Sequence, residues 1–251
     1  MRRLAIRPGA IGDVIVSLPA LEHLRGDYLE VWTTARSAPL IRFADRVRAI
    51  SSTGLDLLGV TGPPPRLIDD LCSFDSIVSW YGANRAEFRD AVRDLPFTFL
   101  PALPVAACPV HATDFYLEQV GAPPGAVPRI AADSPRQDYA VIHPYSGSPR
   151  KNWPLEKFRA LASRLPMPVR WCAGDDDPPL PEAVRIPDLY ELAHFLSAAR
   201  LYIGNDSGVT HLAAAVGTPT LAIFVSTDPR IWAPRGEHVR VAVLGTGVHL
   251  P

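Results

Sequence analysis

The chain has 251 residues, 47% of them hydrophobic and 20% charged, enough to bury a sizeable core as one large domain or two small ones. Lysine and arginine number 25 against 26 aspartates and glutamates, so no global basic field exists; this excludes a general nucleic-acid binder but leaves room for a local cationic pocket. No apolar run approaches the roughly 20 residues that span a bilayer, and Cys72, Cys108 and Cys172 form no C-x-x-C pair, so they read as buried thiols in a reducing compartment, with neither a zinc site nor a disulfide framework.

Taken in chain order, "RLAIR" is a short apolar run bounded by Pro8 and Gly9, the pattern of a first buried strand. Ile11, Val14, Ile15, Leu18, Leu21 and Leu24 then recur at helical spacing, which predicts a helix over 11–25 with Pro19 inside it. Asp13, in the middle of this apolar stretch, argues against a signal peptide. "YLEVWTT" and "SIVSWYG" read as further strands, with helices expected near 36–46 and 84–94. Residues 121–138, rich in proline, glycine and alanine and without periodicity, are the expected linker.

After it the alternation resumes. "YAVIHP", "PVRWCAG", "RLYIGN" and "TLAIF" are strands, separated by helices in "PLEKFRALASRL", "LYELAHFLSAA" and "SGVTHLAAAV", with Pro154 at a first helical position. Strands alternating with helices of 10–12 residues imply parallel β-α-β units in covered sheets. The expectation is an α/β chain of two domains with a cleft between them, residues 1–130 and 131–251. Many of the 27 prolines fall between elements and stiffen the loops.

In open α/β sheets ligands sit beyond the carboxyl ends of the strands. Three loops there carry unusual residues. In "RPGAIGD", Gly9 and Gly12 let a backbone come close to a ligand, and Asp13 is either a reactive carboxylate or one favoured by the helix dipole. In "YSGSPRKNWP", Ser146, Gly147 and Ser148 supply small donors ahead of Arg150 and Lys151. Two cations before a helix start are unfavourable unless an anion joins them there. In "IGNDSGVTH", Asp206 or Ser207 caps a helix whose first turn Gly208 leaves bare. His211 lies one turn on, where it reaches a phosphate oxygen or forms an interior hydrogen bond. Asp206 suits a sugar hydroxyl or its own cap better than a phosphate. Asp175 and Asp177 form a D-x-D in an acidic loop that accepts from a ribose or sugar more readily than it holds a metal. A G-x-G-x-x-G fingerprint is absent.

The blocks "IRPGAIGDVIVSLPALEHLR", "HPYSGSPRKNWPLEKFRALA" and "LYELAHFLSAARLYIGNDSGVTHLAAAVGTPTLAIF", continued by "STDPRIWAP", resemble the lipopolysaccharide heptosyltransferase family, glycosyltransferase family 9. The resemblance implies a GT-B-type architecture, with two Rossmann-like parallel-sheet domains facing across a cleft. It implies an inverting, metal-independent transfer of a heptose-like sugar from a nucleotide-diphosphate donor, typically ADP-heptose, to a lipopolysaccharide core or other glycan acceptor. By motif, Asp13 becomes the general base, with Gly12 in the loop near the acceptor. Ser146, Lys151, Asp206, Ser207, Gly208 and His211 become donor-binding residues, Lys151 facing the leaving diphosphate. Asp175 or Asp176 takes the place of an acidic residue beside the donor sugar or ribose. Where the family often has glycine after the last matched strand, this chain has Val225.

The nucleotide sugar is then a substrate, and no cofactor or metal is expected. A cytoplasmic location follows, with peripheral contact at the inner-membrane surface; nucleic acid is not a partner and the oligomeric state stays open. Two other readings keep the scaffold: a nucleotide-sugar epimerase or hydrolase, and a non-catalytic nucleotide-sugar-binding protein.

Overall fold

The computed structural model describes residues 1–59, 65–104 and 109–244. Two wholly parallel sheets organise it. The first is built from β1 (Arg2–Ile6), β2 (Tyr28–Thr33), β3 (Arg46–Ala49), β4 (Ser76–Ser79) and β5 (Phe97–Phe99), in the order β3-β2-β1-β4-β5. The second contains β6 (Ala140–His143), β7 (Val169–Cys172), β8 (Ala183–Val184), β9 (Leu201–Asn205), β10 (Thr220–Phe224) and β11 (Val239–Val243), in the order β11-β10-β9-β6-β7-β8. Strands such as β1 and β6 are apolar on both faces because helices cover both faces of a parallel sheet.

The helices are α1 (Ile11–His23), α2 (Pro65–Cys72), α3 (Ala86–Ala91), α4 (Ala112–Gln119), α5 (Leu155–Ala162), α6 (Leu189–Ser197), α7 (Gly208–Ala215) and α8 (Pro229–Trp232). α1 has the expected place and carries Pro19 in its interior. It buries Val14, Ile15, Val16, Ser17, Leu18, Ala20 and Leu21, most of its circumference. A helix that apolar must be covered on several sides, and α1 packs against α4 and α7 as well as its own sheet. One apolar cluster accordingly runs from Val14 and Leu18 through Tyr116 to Leu212 and Ala213, joining the two halves. α5 buries Phe158 fully and only half-buries Leu155, Leu161 and Ala162; Leu165, just beyond it, is also half-buried. Pro154 is its cap, not its first residue.

The helix expected near 36–46 is not there. A single 3-10 turn, Ala38–Leu40, is followed by the edge strand β3. The strand "RVRA" hides its nature because charged side chains guard an exposed sheet edge, and the Leu29 amide donates to Asp45 just before it (2.8 Å). The helix expected over 84–94 shortens to α3. Residues 121–138 contain no helix or strand, but they are not a loose linker. Ile130 N donates to Ala215 O (3.0 Å) and Gln137 N to Ala198 O (2.7 Å), while Ile130 and Ala132 are buried. The segment is a strap across the second layer. Cys172 is buried, whereas Cys72 is exposed, against the expectation of buried thiols; Cys108 lies outside the described residues. No described helix is long and apolar enough to cross a membrane.

Each sheet has one place where the strand order reverses. In the first it lies at β1, flanked by β2 and β4; in the second it lies between β6 and β9. The loops after β1, β6 and β9 therefore rise from the switch points, where open α/β sheets bind ligands.

Candidate active site at the junction of the two sheets

The first turns of α1 and α7 meet head to head. A methyl group on Gly208 would lie 2.9 Å from Ile11 Cβ and 3.0 Å from the Gly12 nitrogen; one on Gly12 would lie 3.5 Å from Gly208 Cα and 3.5 Å from His211 Cδ2. At position 208 only glycine leaves room for this approach, whereas a methyl group at position 12 would make ordinary contacts. Gly12, Asp13, Gly208 and His211 are thereby brought to one junction.

Asp13 is half-buried in the first turn of α1, and its Oδ2 accepts from the Ala10 amide (3.2 Å). Among the described residues it forms no ion pair. On the facing helix Ser207 is the cap: its hydroxyl accepts from Thr210 N (3.3 Å) and lies 3.1 Å from Thr210 Oγ1. That settles the choice between Asp206 and Ser207. Asp206 is therefore not the cap. It is buried and accepts from Lys151 Nζ (2.8 Å) and Thr227 Oγ1 (2.7 Å).

Lys151 therefore already has an internal anion. It sits in a 3-10 turn, Pro149–Lys151, four residues before α5 begins at Leu155, while Arg150 is exposed. Before the start of α5, then, one cation is paired with a buried carboxylate and the other faces solvent. Ser146 shapes this loop: its hydroxyl lies 2.8 Å from Ser148 O and 2.7 Å from Asn152 Oδ1. Asn205, fully buried, staples the β6 and β9 loops together. Its Oδ1 accepts from Trp153 N (2.9 Å) and its Nδ2 donates to Pro144 O (2.7 Å).

His211 is 6% exposed, and burial holds its imidazole well below the usual histidine range, Asp206 pulling the other way and His111 and Lys151 adding to the depression. It is neutral at pH 7 and able to donate a hydrogen bond. It also borders a cavity of about 10 Å³ lined by Ile15, His111, Thr113 and Ala214, about one water in size. His111 reaches Ala233 O (2.8 Å), and Arg235 grips Asp114 through two nitrogens (2.7 and 2.5 Å), so α4 is pinned to the second layer.

In the acidic loop the three aspartates divide into two outward-facing carboxylates and one that orders the loop. Asp175 and Asp176 are exposed, Asp176 lying 3.9 Å from Arg36 Nη1 of the first layer. Asp177 is the built-in one. Its Oδ2 accepts from Gly174 N (2.6 Å) and sits 3.1 Å from His143 Nε2. Although burial alone would raise it, these hydrogen bonds leave its pKa lowered. The D-x-D thus has one ordering and one outward carboxylate. Among the described residues no three His, Cys, Asp or Glu side chains converge as a metal set. Sequence reasoning also missed Thr227, Asn205 and His143, whose partners lie 21 to 61 positions away.

The two parallel-sheet layers, with their switch-point loops meeting at one junction, have the GT-B architecture shared by the solved heptosyltransferase structures below. Similarity points the same way. Glycosyltransferase family 9 (heptosyltransferase) matches residues 187–249. Lipopolysaccharide heptosyltransferase 3 of Escherichia coli is 31% identical over a match covering 39% of this chain and 34% of the relative, so the chain spans about a third of the length of the curated relatives it matches. The fold superposes on E. coli ADP-heptose lipopolysaccharide heptosyltransferase II (TM-score 0.76, 16% identity, 98% of this chain and 92% of that one). It also superposes on a family 9 glycosyl transferase from Veillonella parvula (0.74, 19%, 98% and 86%) and on E. coli heptosyltransferase WaaC with ADP (0.66, 18%, 97% and 93%). Together these findings show similarity to heptosyltransferases of glycosyltransferase family 9 over the last part of the chain, and a shared fold over nearly all of it.

Proposed function

We propose that the chain is an inverting, metal-independent glycosyltransferase that moves a heptose-like sugar from a nucleotide-diphosphate donor, ADP-heptose, to a lipopolysaccharide core or similar glycan. The observation that carries this reading is the approach of Gly12 to Gly208, which puts a carboxylate with no ion pair among the described residues beside a phosphate-type helix start. The relatives named for ADP-heptose, or holding ADP, support the choice of donor.

In this reading the donor diphosphate lies at the first turn of α7. The amides of Ser207, Gly208 and Val209 and the dipole favour its charge there. Lys151 faces it, already turned by Asp206, and neutral His211 donates to a phosphate oxygen. Ser146 shapes the loop that carries Lys151. Asp175 or Asp176, on the loop ordered by Asp177, contacts the donor sugar or ribose. Asp13 takes the proton from an acceptor hydroxyl as that oxygen bonds to the anomeric carbon; the bond to the diphosphate breaks and the diphosphate leaves with the electron pair. A single displacement inverts the anomeric centre. Cationic and amide charge on the leaving group performs the task a metal has elsewhere. A lipid-borne acceptor would bring the protein to a membrane surface.

The test is a calorimetric titration with ADP, GDP, UDP and ADP-heptose in EDTA and then with Mg²⁺, followed by mass-spectrometric product analysis with heptose-free lipopolysaccharide core. Metal-independent binding that favours ADP and ADP-heptose, with turnover only when acceptor is present, is the expected result. Donor breakdown or isomerisation without acceptor would instead establish a hydrolase or epimerase. Tight binding without turnover under any condition would establish a binding protein.

A further inference from the structure

Arg7, at the end of β1, is 2% exposed, yet among the described residues it forms no ion pair. Its hydrogen bonds go to neutral acceptors: Nη1 donates to Pro8 O (2.9 Å), and Nη2 to Asp13 O (3.2 Å) and to the Tyr116 hydroxyl (2.7 Å). Its Nε is buried with no partner. The guanidinium also lies 4.8 Å from the centre of the Tyr116 ring. Tyr116 supplies no counter-charge, because burial pushes its hydroxyl up to about 12 and it remains a neutral phenol that donates to Ala102 O (2.7 Å).

A buried cation without a hydrogen-bonded anion is costly, and the positive end of a helix dipole makes this one worse. Packing alone does not call for arginine here; an apolar side chain would fill the space without a charge. What arginine offers is a planar fork that donates in several fixed directions at once. In this case the fork spans the β1–α1 loop from Pro8 to Asp13 and anchors it to α4. A point at the Cβ position of Gly9 would be 3.2 Å from Arg7 Nη1 and 3.4 Å from Asp13 Oδ2, so the charged ends of both residues crowd the same side of the loop.

We propose that Arg7 and Tyr116 are positioning residues for Asp13: they strap the β1–α1 loop shut and hold the carboxylate at the junction with α7. The catalytic consequence rests on the reading of Asp13 as the base, whereas the strap itself does not. Arg7→Lys keeps the charge but loses the fork, and Tyr116→Phe keeps the ring but loses the acceptor.

Amide hydrogen exchange, followed residue by residue, reads the strap directly. Ala10 N and Val14 N are the reporters, since the first is bonded to Asp13 Oδ2 and the second to Ala10 O (3.1 Å). Both variants should speed exchange at these two amides at least tenfold and leave Ile142 in β6 unchanged. In assays with ADP-heptose and core acceptor, kcat should fall about tenfold or more while donor affinity stays within twofold. In an Asp13→Ala background, Arg7→Lys should not lower the residual rate further. Local loosening in a chain that transfers no sugar would uphold the strap and sink the transferase reading. Unchanged exchange beside a reduced kcat would uphold the transferase and sink the strap. A uniform rise across both sheets in both variants would also overturn it, by making the pair ordinary core.

Discussion

The two helix starts that meet at the junction are built from similar parts and balanced in opposite ways. At α7 the charges are closed: buried Asp206 is satisfied by Lys151 and Thr227, and a serine caps the helix. At α1 they are left open: among the described residues the carboxylate forms no ion pair and the buried arginine is bonded only to neutral oxygens. A closed arrangement suits a surface that must hold its shape when an anion arrives and leaves. An open one suits a group that must gain and lose a proton. The difference fits the proposed division, with the donor held on the α7 side and the proton taken on the α1 side.

Substituting the open side should have the largest effect. Asp13→Ala is expected to lower kcat by about 10²–10⁴, the range of general-base catalysis, with donor affinity within about threefold; calorimetry beside turnover reads both. A collapse of donor affinity would erase the division between the two helix starts. On the closed side the order reverses. Lys151→Ala should weaken diphosphate binding by about 1.5–3 kcal/mol, as for a charge-assisted hydrogen bond. It should also lower thermal stability, since Asp206 keeps only Thr227. Unchanged ADP affinity would remove Lys151 from the donor site.

The contact between the helices is itself lopsided. Gly208→Ala forces a methyl group to 2.9 Å from Ile11 Cβ, while Gly12→Ala meets ordinary contacts at 3.5 Å. The first should destabilise by about 1–3 kcal/mol, the cost of overpacking, and the second by clearly less; urea denaturation of the two variants ranks them. Acid should act at the same place. Burial lowers the pKa of both His211 and His111, so the unfolded chain takes up protons that the folded chain refuses. Stability from these groups is complete above about pH 6.5, an ordinary histidine value, and declines as the pH falls below it. His211→Asn should flatten that slope between pH 7.5 and 5.5. The smallest effect belongs to the acidic loop. Asp176→Ala should leave stability within about 0.5 kcal/mol, because its pair with Arg36 is exposed. Asp177→Asn should loosen the loop measurably, because Asp177 orders it from inside.

Much of the second sheet was legible from residue patterns. β6, α5, β7, α6, β9, α7 and β10 are regular elements whose apolar runs and helical periods survive without context. The first sheet was harder to read. β3 is an edge strand with charged alternation, and β5 has three residues; neither shows a period. In the site, Asp13, Lys151, Gly208 and His211 stood out through motif and chemistry. Asp206 was visible too, but its partners were not, because Lys151 lies 55 residues away and Thr227 21.

The sequence by itself determined the alternation of strands and helices, the two-layer class and the loops that carry glycine, cation and carboxylate, because hydrophobic period and loop chemistry are local properties. The tertiary structure alone decided that α1 and α7 meet through two glycines and that Asp206 holds Lys151. It alone showed that Asp177 orders the acidic loop and that Arg7 lies buried against the Asp13 backbone. Each of these is a contact between distant segments, and its energy comes from geometry and burial that no single stretch of chain contains.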